Sequence, residues 1–111
     1  MIFITGPLFS GKREYIRNAL HWSEDELSEY AVWDVQDLAA KTDDLKALAN
    51  ALAEHKVVIA TEVGGGVVPV DPKERANREA AGRLSCLLAE RADTVIRVFC
   101  GLPRVLKGEP L

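Results

Sequence analysis

Hydrophobic residues of this chain are grouped in four short apolar runs, separated by longer segments in which apolar and polar residues alternate at helical spacing. Short apolar runs bounded by glycine, aspartate or charged residues are typical of buried β-strands. The pattern therefore predicts strands at residues 1–5, 30–35, 57–60 and 94–99. An irregular tail is expected from Gly101 onward.

Between these runs, apolar residues recur every three or four positions, as on one face of an amphipathic helix. This spacing predicts helices at residues 12–22, 43–55 and 72–92. We expect Thr42 and Asp71 to cap the second and third helices, and Ser23 to cap a helical turn in the acidic connector after the first. Gly82 lies inside the third helix, where a close approach to the sheet would explain a glycine.

Strands that alternate with helices indicate an α/β fold. We predict a P-loop NTPase-like, three-layer α/β/α domain over residues 1–111, with a small, mostly parallel, four-stranded sheet. Ligands of such sheets bind beyond the carboxyl ends of the strands. The polar groups expected there are the loop of residues 6–12, Asp34, Glu62 and Gly101.

The loop after the first strand has the phosphate-loop spacing G-x-x-x-x-G-K, from Gly6 to Lys12. Glycines allow backbone N–H groups to converge on one phosphate, the following helix directs its positive end there, and the lysine reaches the outer phosphates. The motif has Ser or Thr at the next position, where the hydroxyl holds Mg²⁺, but this chain has Arg13. The predicted nucleotide-binding residues are Gly6, Pro7, Leu8, Phe9, Ser10, Gly11, Lys12 and Arg13. The alternative is an ordinary strand-to-helix turn with a surface lysine.

Composition narrows the classes of function. A hydrophobic content of 48% and a charged content of 28% are those of a soluble globular domain. The net charge of −3 argues against nucleic acid or an anionic membrane as partner. No apolar run approaches a membrane span, and no signal peptide is indicated, so a cytoplasmic protein is expected. Cys86 and Cys100 have no metal-ligand spacing and are expected to be reduced, mostly buried thiols.

Several segments carry a family resemblance. They are Thr61-Glu-Val-Gly-Gly-Gly-Val-Val-Pro69, Arg75-x-x-Arg78-x-x-x-Gly82-Arg83-Leu84, and Gly101-Leu-Pro103-x-x-Leu-Lys107. Together with the phosphate loop, and more weakly Val32-Trp33-Asp34, they resemble the adenosylcobinamide kinase/adenosylcobinamide-phosphate guanylyltransferase family of cobalamin biosynthesis. That family phosphorylates adenosylcobinamide and then transfers GMP through a guanylylated histidine.

Three residues are predicted to be catalytic groups. Phosphoryl transfer requires phosphates and metal to be held in line, so Lys12 would hold phosphates and Asp34 would be the carboxylate on the Mg²⁺ side, directly or through water. The resemblance implies that Glu62 lies beside the reacting hydroxyl or the metal, where it could position or deprotonate the hydroxyl. Arg13 could donate to a phosphate oxygen in place of the missing metal contact. The alternative for Asp34 is a carboxylate that caps the next turn.

The chain also departs from the family. The interval that should carry the guanylylated histidine is reduced to residues 23–30, which contain no histidine, and His21 lacks the family context. Thr61, Ser85 and Cys86 replace amide side chains of the family motifs. Two hypotheses remain: a kinase-only phosphotransferase, or a non-catalytic nucleotide- or phosphate-binding protein that acts as a partner or regulatory subunit. The expected ligands are ATP or GTP, Mg²⁺, and adenosylcobinamide or another small hydroxyl compound, and the resemblance also implies a homo-oligomer.

Overall fold

The computed structural model describes residues 1–63 and 71–111, and these form one sheet covered by helices. The strands are β1 (Ile2–Gly6), β2 (Ala31–Val32), β3 (Val57–Thr61), β4 (Thr94–Phe99) and β5 (Leu102–Lys107). The α-helices are α1 (Lys12–Leu20), α2 (Glu24–Tyr30), α3 (Leu45–Leu52) and α4 (Pro72–Arg91), and a 3₁₀ helix spans Val35–Lys41.

Within residues 1–63 and 71–111 the sheet has five strands, in the order β2-β3-β1-β4-β5, so the prediction of four strands was wrong. Strands β1 to β4 are parallel, and β5 runs antiparallel to β4. The expected irregular tail is instead strand β5, because Cys100 and Gly101 both have positive φ angles, of 53° and 74°. Two such residues form the tight turn that joins antiparallel strands. The ammonium of Lys107 then donates to the carbonyl oxygens of Ala89 and Glu90, which ties β5 to the end of α4.

Both faces of the sheet are covered, which confirms the three-layer prediction. On one face Phe3 of β1 packs with residues of the 3₁₀ helix, α3 and α4. On the other face the neighbouring Ile4 packs with Ile16 of α1 and Leu27 of α2. Adjacent strand residues point to opposite faces, so one apolar run supplies both cores.

The second predicted strand is much shorter than expected. It ends at Val32, and Asp34 takes a left-handed conformation with a φ of 53°. An L-residue in that region cannot continue a strand. The chain then enters the 3₁₀ helix, which buries Val35 and Ala39.

The helix caps follow local side-chain chemistry. Ser23 forms the expected cap of α2, as a complete capping box with Glu26. Asp71 caps α4 through the backbone N–H of Lys73, as predicted. The cap of α3 is Asp44 rather than Thr42, whose hydroxyl accepts the Asp44 N–H instead.

Two expectations about packing were wrong. A Cβ added at Gly82 would meet no described heavy atom within 4 Å, so this glycine does not mark a close approach to the sheet. Cys86 and Cys100 are both exposed, because neither lies on a strand or helix face that packs against a core. Among residues 1–63 and 71–111, no helix has the length and apolar character needed to cross a bilayer.

Candidate functional site

The predicted phosphate loop connects β1 to α1 at the carboxyl end of the sheet. Gly6 has a φ of 155°, and a Cβ there would lie 2.2 Å from the carbonyl oxygen of Val98. Gly11 has a φ of 92° and occupies the N-cap of α1. Both glycines are therefore required by the backbone, one by contact with β4 and the other by its left-handed conformation.

Lys12 is the first residue of α1 and is nearly buried, with 7% of its surface exposed. Its ammonium donates to the carbonyl oxygens of Pro7 at 2.7 Å and of Gly6 at 3.2 Å. An ammonium has three N–H donors, so one remains for a ligand. Burial lowers the pKa of Lys12, while the carboxylates of Asp34 and Glu62 raise it. The three predicted catalytic residues are thus close enough to interact electrostatically.

Ser10 supplies a second polar group inside the loop. Its side chain is only 5% exposed, and its hydroxyl has no hydrogen-bond partner among the described residues. A buried polar group without a partner is costly, and in a native fold it calls for an explanation. An anion held by the loop would supply the missing acceptor.

The loop borders a cleft of about 430 Å³. Its lining comprises loop residues Leu8, Phe9, Ser10, Gly11, Lys12 and Arg13, together with Glu14, Trp33, Asp34 and Thr61. At the tip of the loop, Leu8 is 65% and Phe9 is 94% exposed, so neither side chain fills the cleft.

Arg13 lines this cleft, but its guanidinium is already engaged. It donates to the Glu24 carboxylate and lies 5.7 Å from the ring centre of Trp33. Arg13 is half exposed, so these contacts are weak enough to be exchanged for a phosphate.

Asp34 follows β2 and presents an exposed carboxylate at the mouth of the cleft. Its Oδ1 accepts a hydrogen bond from the Thr61 hydroxyl at 3.1 Å. The side chain makes no capping hydrogen bond to the 3₁₀ helix, which contradicts the capping alternative for this residue.

Glu62 comes directly after β3, and its backbone N–H donates to the Gly6 carbonyl oxygen at 2.8 Å. Its carboxylate accepts two hydrogen bonds from Arg97, at 2.6 Å and 2.8 Å. These bonds are the main cause of a pKa of Glu62 below its usual value; burial opposes the shift, and the charges of Arg97 and Lys12 add to it. Glu62 is therefore an ionised and weakly basic carboxylate. Three glycines at positions 64–66 would permit close approach of a ligand to Glu62, but they lie outside the described residues.

Sequence reasoning missed two residues of this site, Arg97 and Gln36. Arg97 could have been noticed as the one charged residue in the apolar run of β4. Gln36 accepts the Thr61 backbone N–H at 2.9 Å, and no sequence signal pointed to it.

A second, smaller cavity of about 280 Å³ lies beside Glu62. It is lined by Thr5, Gln36, Thr61, Glu62, Val63, Ala81, Gly82 and Ser85. Thr61 also lines the phosphate-loop cleft, so the two spaces share one wall at the end of β3.

Metal-binding capacity at the site is limited. Within residues 1–63 and 71–111, no group of three or more His, Cys, Asp or Glu side chains could enclose a metal ion. Mg²⁺ in nucleotide sites is commonly held by one or two carboxylates plus phosphate oxygens and water. The Asp34 carboxylate fits that smaller requirement.

Comparison with known proteins bears out the resemblance. Residues 15–106 match the family described as cobinamide kinase / cobinamide phosphate guanyltransferase. The bifunctional adenosylcobalamin biosynthesis protein CobP of Pseudomonas aeruginosa is 36% identical over 78 residues, which cover 70% of this chain and 45% of CobP. The chain thus spans about half the length of this curated relative. The family match begins after the phosphate loop, so the interpretation of residues 6–13 depends on their sequence and geometry.

Proposed function

Because the chain belongs to the cobinamide kinase / cobinamide phosphate guanyltransferase family, we propose that it is a kinase-type member acting in cobalamin biosynthesis in the cytoplasm. ATP or GTP would bind at the phosphate loop. The acceptor would be adenosylcobinamide or another small hydroxyl compound. The acceptor oxygen would bond to the γ-phosphorus while the bond to the β–γ bridging oxygen breaks, releasing the nucleoside diphosphate and the hydroxyl proton.

The observation that carries this proposal is the unused hydrogen-bonding capacity of the loop. The Lys12 ammonium uses two of its three donors on loop carbonyls, and the buried Ser10 hydroxyl has no partner among the described residues. Both groups lie where α1 begins, so its positive end favours the same anion. A triphosphate would satisfy these groups together.

Asp34 would hold Mg²⁺, and the ion would supply positive charge that stabilises the negative charge developing during phosphoryl transfer. Arg13 supplies no hydroxyl for the ion, so the metal would depend on this one carboxylate and on the triphosphate. We expect nucleotide binding to depend less on Mg²⁺ than in a loop with Ser or Thr at this position.

Glu62 would orient the acceptor hydroxyl rather than remove its proton early in the reaction. Its pairing with Arg97 keeps it ionised and lowers its basicity. Phosphoryl transfer requires mainly position and charge stabilisation, so a weak base in this place is sufficient.

Guanylyl transfer is not part of the proposal. Residues 23–30 contain no histidine, and His21 lies at the C-cap of α1 with a φ of 55°. A lone histidine in that position is more simply explained by helix termination than by nucleophilic catalysis.

The second candidate is a non-catalytic nucleotide-binding partner or regulatory subunit. It is favoured by Arg13, which occupies the metal-hydroxyl position and is paired with Glu24. This candidate predicts binding that is independent of Mg²⁺ and unaccompanied by turnover.

The first test is Lys12→Ala. We expect it to weaken ATP or GTP binding by at least about tenfold, because a hydrogen bond to a charged group contributes about 1.5–3 kcal/mol. Calorimetric titration with and without Mg²⁺, alongside phosphoryl transfer to adenosylcobinamide, measures both effects. Lys41→Ala changes an exposed lysine of the 3₁₀ helix and is the control. Equal affinity in both variants would contradict nucleotide binding at this loop.

The second test separates the two candidates through Arg13→Ser. The introduced hydroxyl should strengthen binding in the presence of Mg²⁺, but not in its absence, if the scaffold is that of a kinase. Arg13→Ala removes the same contacts to Glu24 and Trp33 without adding a hydroxyl, so it is the matched control. An identical Mg²⁺ response in the two variants would favour the non-catalytic candidate.

A further inference from the structure

A groove of about 800 Å³ lies between α3 and α4, outside the phosphate-loop cleft. Its wall includes Leu45 of α3 and Gly82, Cys86 and Leu87 of α4, and its lining is mainly apolar. The volume is within the range of about 300–1,000 Å³ that is typical of small-molecule sites.

This groove meets the small cavity beside Glu62 at Gly82, which lines both. No described heavy atom lies within 4 Å of the position that a Cβ would take there. A side chain at this residue would project into open space at the junction. The glycine therefore leaves the position shared by the two spaces open, at some cost in helix stability.

The spaces form a series of three. Thr61 separates the phosphate-loop cleft from the cavity beside Glu62, and Gly82 joins that cavity to the groove. A phosphate held by Lys12 and a hydroxyl held by Glu62 would thus face each other across Thr61. A larger molecule attached to that hydroxyl would have room to extend past Gly82.

We propose that the α3–α4 groove binds the body of the acceptor, while a narrow hydroxyl-bearing arm passes Gly82 to reach Glu62. This inference rests on the proposed kinase function, and it adds the place and chemistry of acceptor binding. The ligand is a large, mainly apolar molecule that carries neutral polar groups.

The charges at the groove suit a ligand whose edge carries neutral polar groups. Asp43 and Asp44 are negative, and Lys46 and Arg83 are positive, so the rim has no net charge. Asp44 is already committed to capping α3, and Arg83 lies 3.8 Å from Glu79. Neutral amide groups both donate and accept hydrogen bonds, which suits a rim of mixed sign. A cobinamide, whose corrin ring carries several amides, has this chemistry.

Cys86 provides a direct measurement of occupancy, because it is exposed and lines the groove. Its alkylation by iodoacetamide would be followed by mass spectrometry with and without adenosylcobinamide. At a ligand concentration about nine times Kd, the rate should fall about tenfold, since only a tenth of the sites is empty. Cys100 reacts in the same sample and should be unaffected by the acceptor, because it lies at the β4–β5 turn.

Gly82→Leu tests the passage. Leucine favours a helix more than glycine does and enters open space, so the variant should fold with an unchanged or higher melting temperature. It should abolish protection of Cys86 or raise the acceptor KM at least tenfold, while the nucleotide KM is unchanged. Ala76→Leu adds the same side chain at an exposed position of α4 and should change neither value.

The results separate this inference from the kinase proposal. Protection of Cys86 without phosphoryl transfer, or protection that persists in Lys12→Ala, supports the groove even if the chain is not a kinase. Turnover of adenosylcobinamide without protection of Cys86, and with a normal acceptor KM in Gly82→Leu, would overturn the groove site and leave the kinase proposal standing. Absence of both protection and turnover would overturn the groove site as well.

Discussion

Arg97 is the one charged residue of β4, and it faces Arg104 across the β4–β5 ladder. Like charges in directly opposed positions repel. The Glu62 carboxylate, which accepts two hydrogen bonds from Arg97, offsets this repulsion. A single carboxylate thereby links the end of β3 to β4 and lines the small cavity beside the phosphate-loop cleft.

Glu62→Gln should make stability less dependent on acidic pH. The folded-state pKa of Glu62 lies below the usual 4.5, so its contribution is fully present above that value and is lost as pH falls through the folded pKa. Wild type should therefore exceed the variant in stability by a modest amount at neutral pH, because the pair is about one-third exposed. The difference should shrink below pH 4.5.

Urea unfolding of both proteins from pH 3 to 7 measures this difference. Glu29→Gln, at an exposed position of α2, is the control and should follow wild type throughout. A gap between wild type and Glu62→Gln that is constant over the whole pH range would contradict the role assigned to the Arg97 pair.

Among the elements, α4 shows a conflict between local stability and the space around a helix. Its interior contains Gly82, and the surrounding space is open rather than crowded. Ordinary packing does not require a glycine there. We assign this open space to the passage between the α3–α4 groove and the small cavity beside Glu62.

Gly82→Ala should raise the free energy of unfolding by about 0.5–1 kcal/mol, because alanine restricts the unfolded chain and favours the helix. Thermal and urea unfolding measure the change. Gly6→Ala is the contrasting variant and should destabilise the protein, since its Cβ would lie 2.2 Å from the Val98 carbonyl oxygen. Loss of stability in Gly82→Ala would show that a Cβ at this position meets neighbouring atoms, and it would contradict the open space around Gly82.

The elements also show which parts of the fold can be predicted from the sequence. Apolar runs located the parallel strands, and helical spacing located α1, α3 and α4, because both signals arise from residues close in the chain. Strand β5 was missed because its residues are all exposed and lack an apolar run; its partner β4 and the turn at Cys100 and Gly101 determine it.

In the candidate site, the phosphate loop was predicted from the spacing of its glycines and lysine. The Glu62–Arg97 pair was not predicted, because it depends on the sheet order, in which β1 lies between β3 and β4.

At the scale of the whole molecule, the sheet is left open at β5. All six residues of β5 are exposed, including Leu102 at 71% and Leu106 at 55%. The neighbouring Phe99 is 54% exposed. A long exposed edge with apolar side chains favours pairing with another chain. We therefore propose that the chain self-associates through this edge, as the homo-oligomer that the family resemblance implies.

We expect the protein to elute as a dimer or larger species at micromolar concentration. Leu106→Lys should shift the mass measured by light scattering toward the monomer, because a charge on the edge opposes strand pairing. Leu38→Lys, at a partly exposed site on the 3₁₀ helix, is the control and should leave the mass unchanged. A monomer at every concentration would contradict self-association.

The turn between β4 and β5 is joined to the phosphate loop by one short backbone contact, in which the Gly101 N–H donates to the Ser10 carbonyl oxygen at 2.7 Å. Any chain that adds to β5 would therefore hold a hairpin that is bonded to the proposed nucleotide site. If edge pairing changes nucleotide affinity by some factor, thermodynamic reciprocity requires nucleotide to change edge pairing by the same factor. Assembly and nucleotide occupancy would then be two readouts of a single equilibrium.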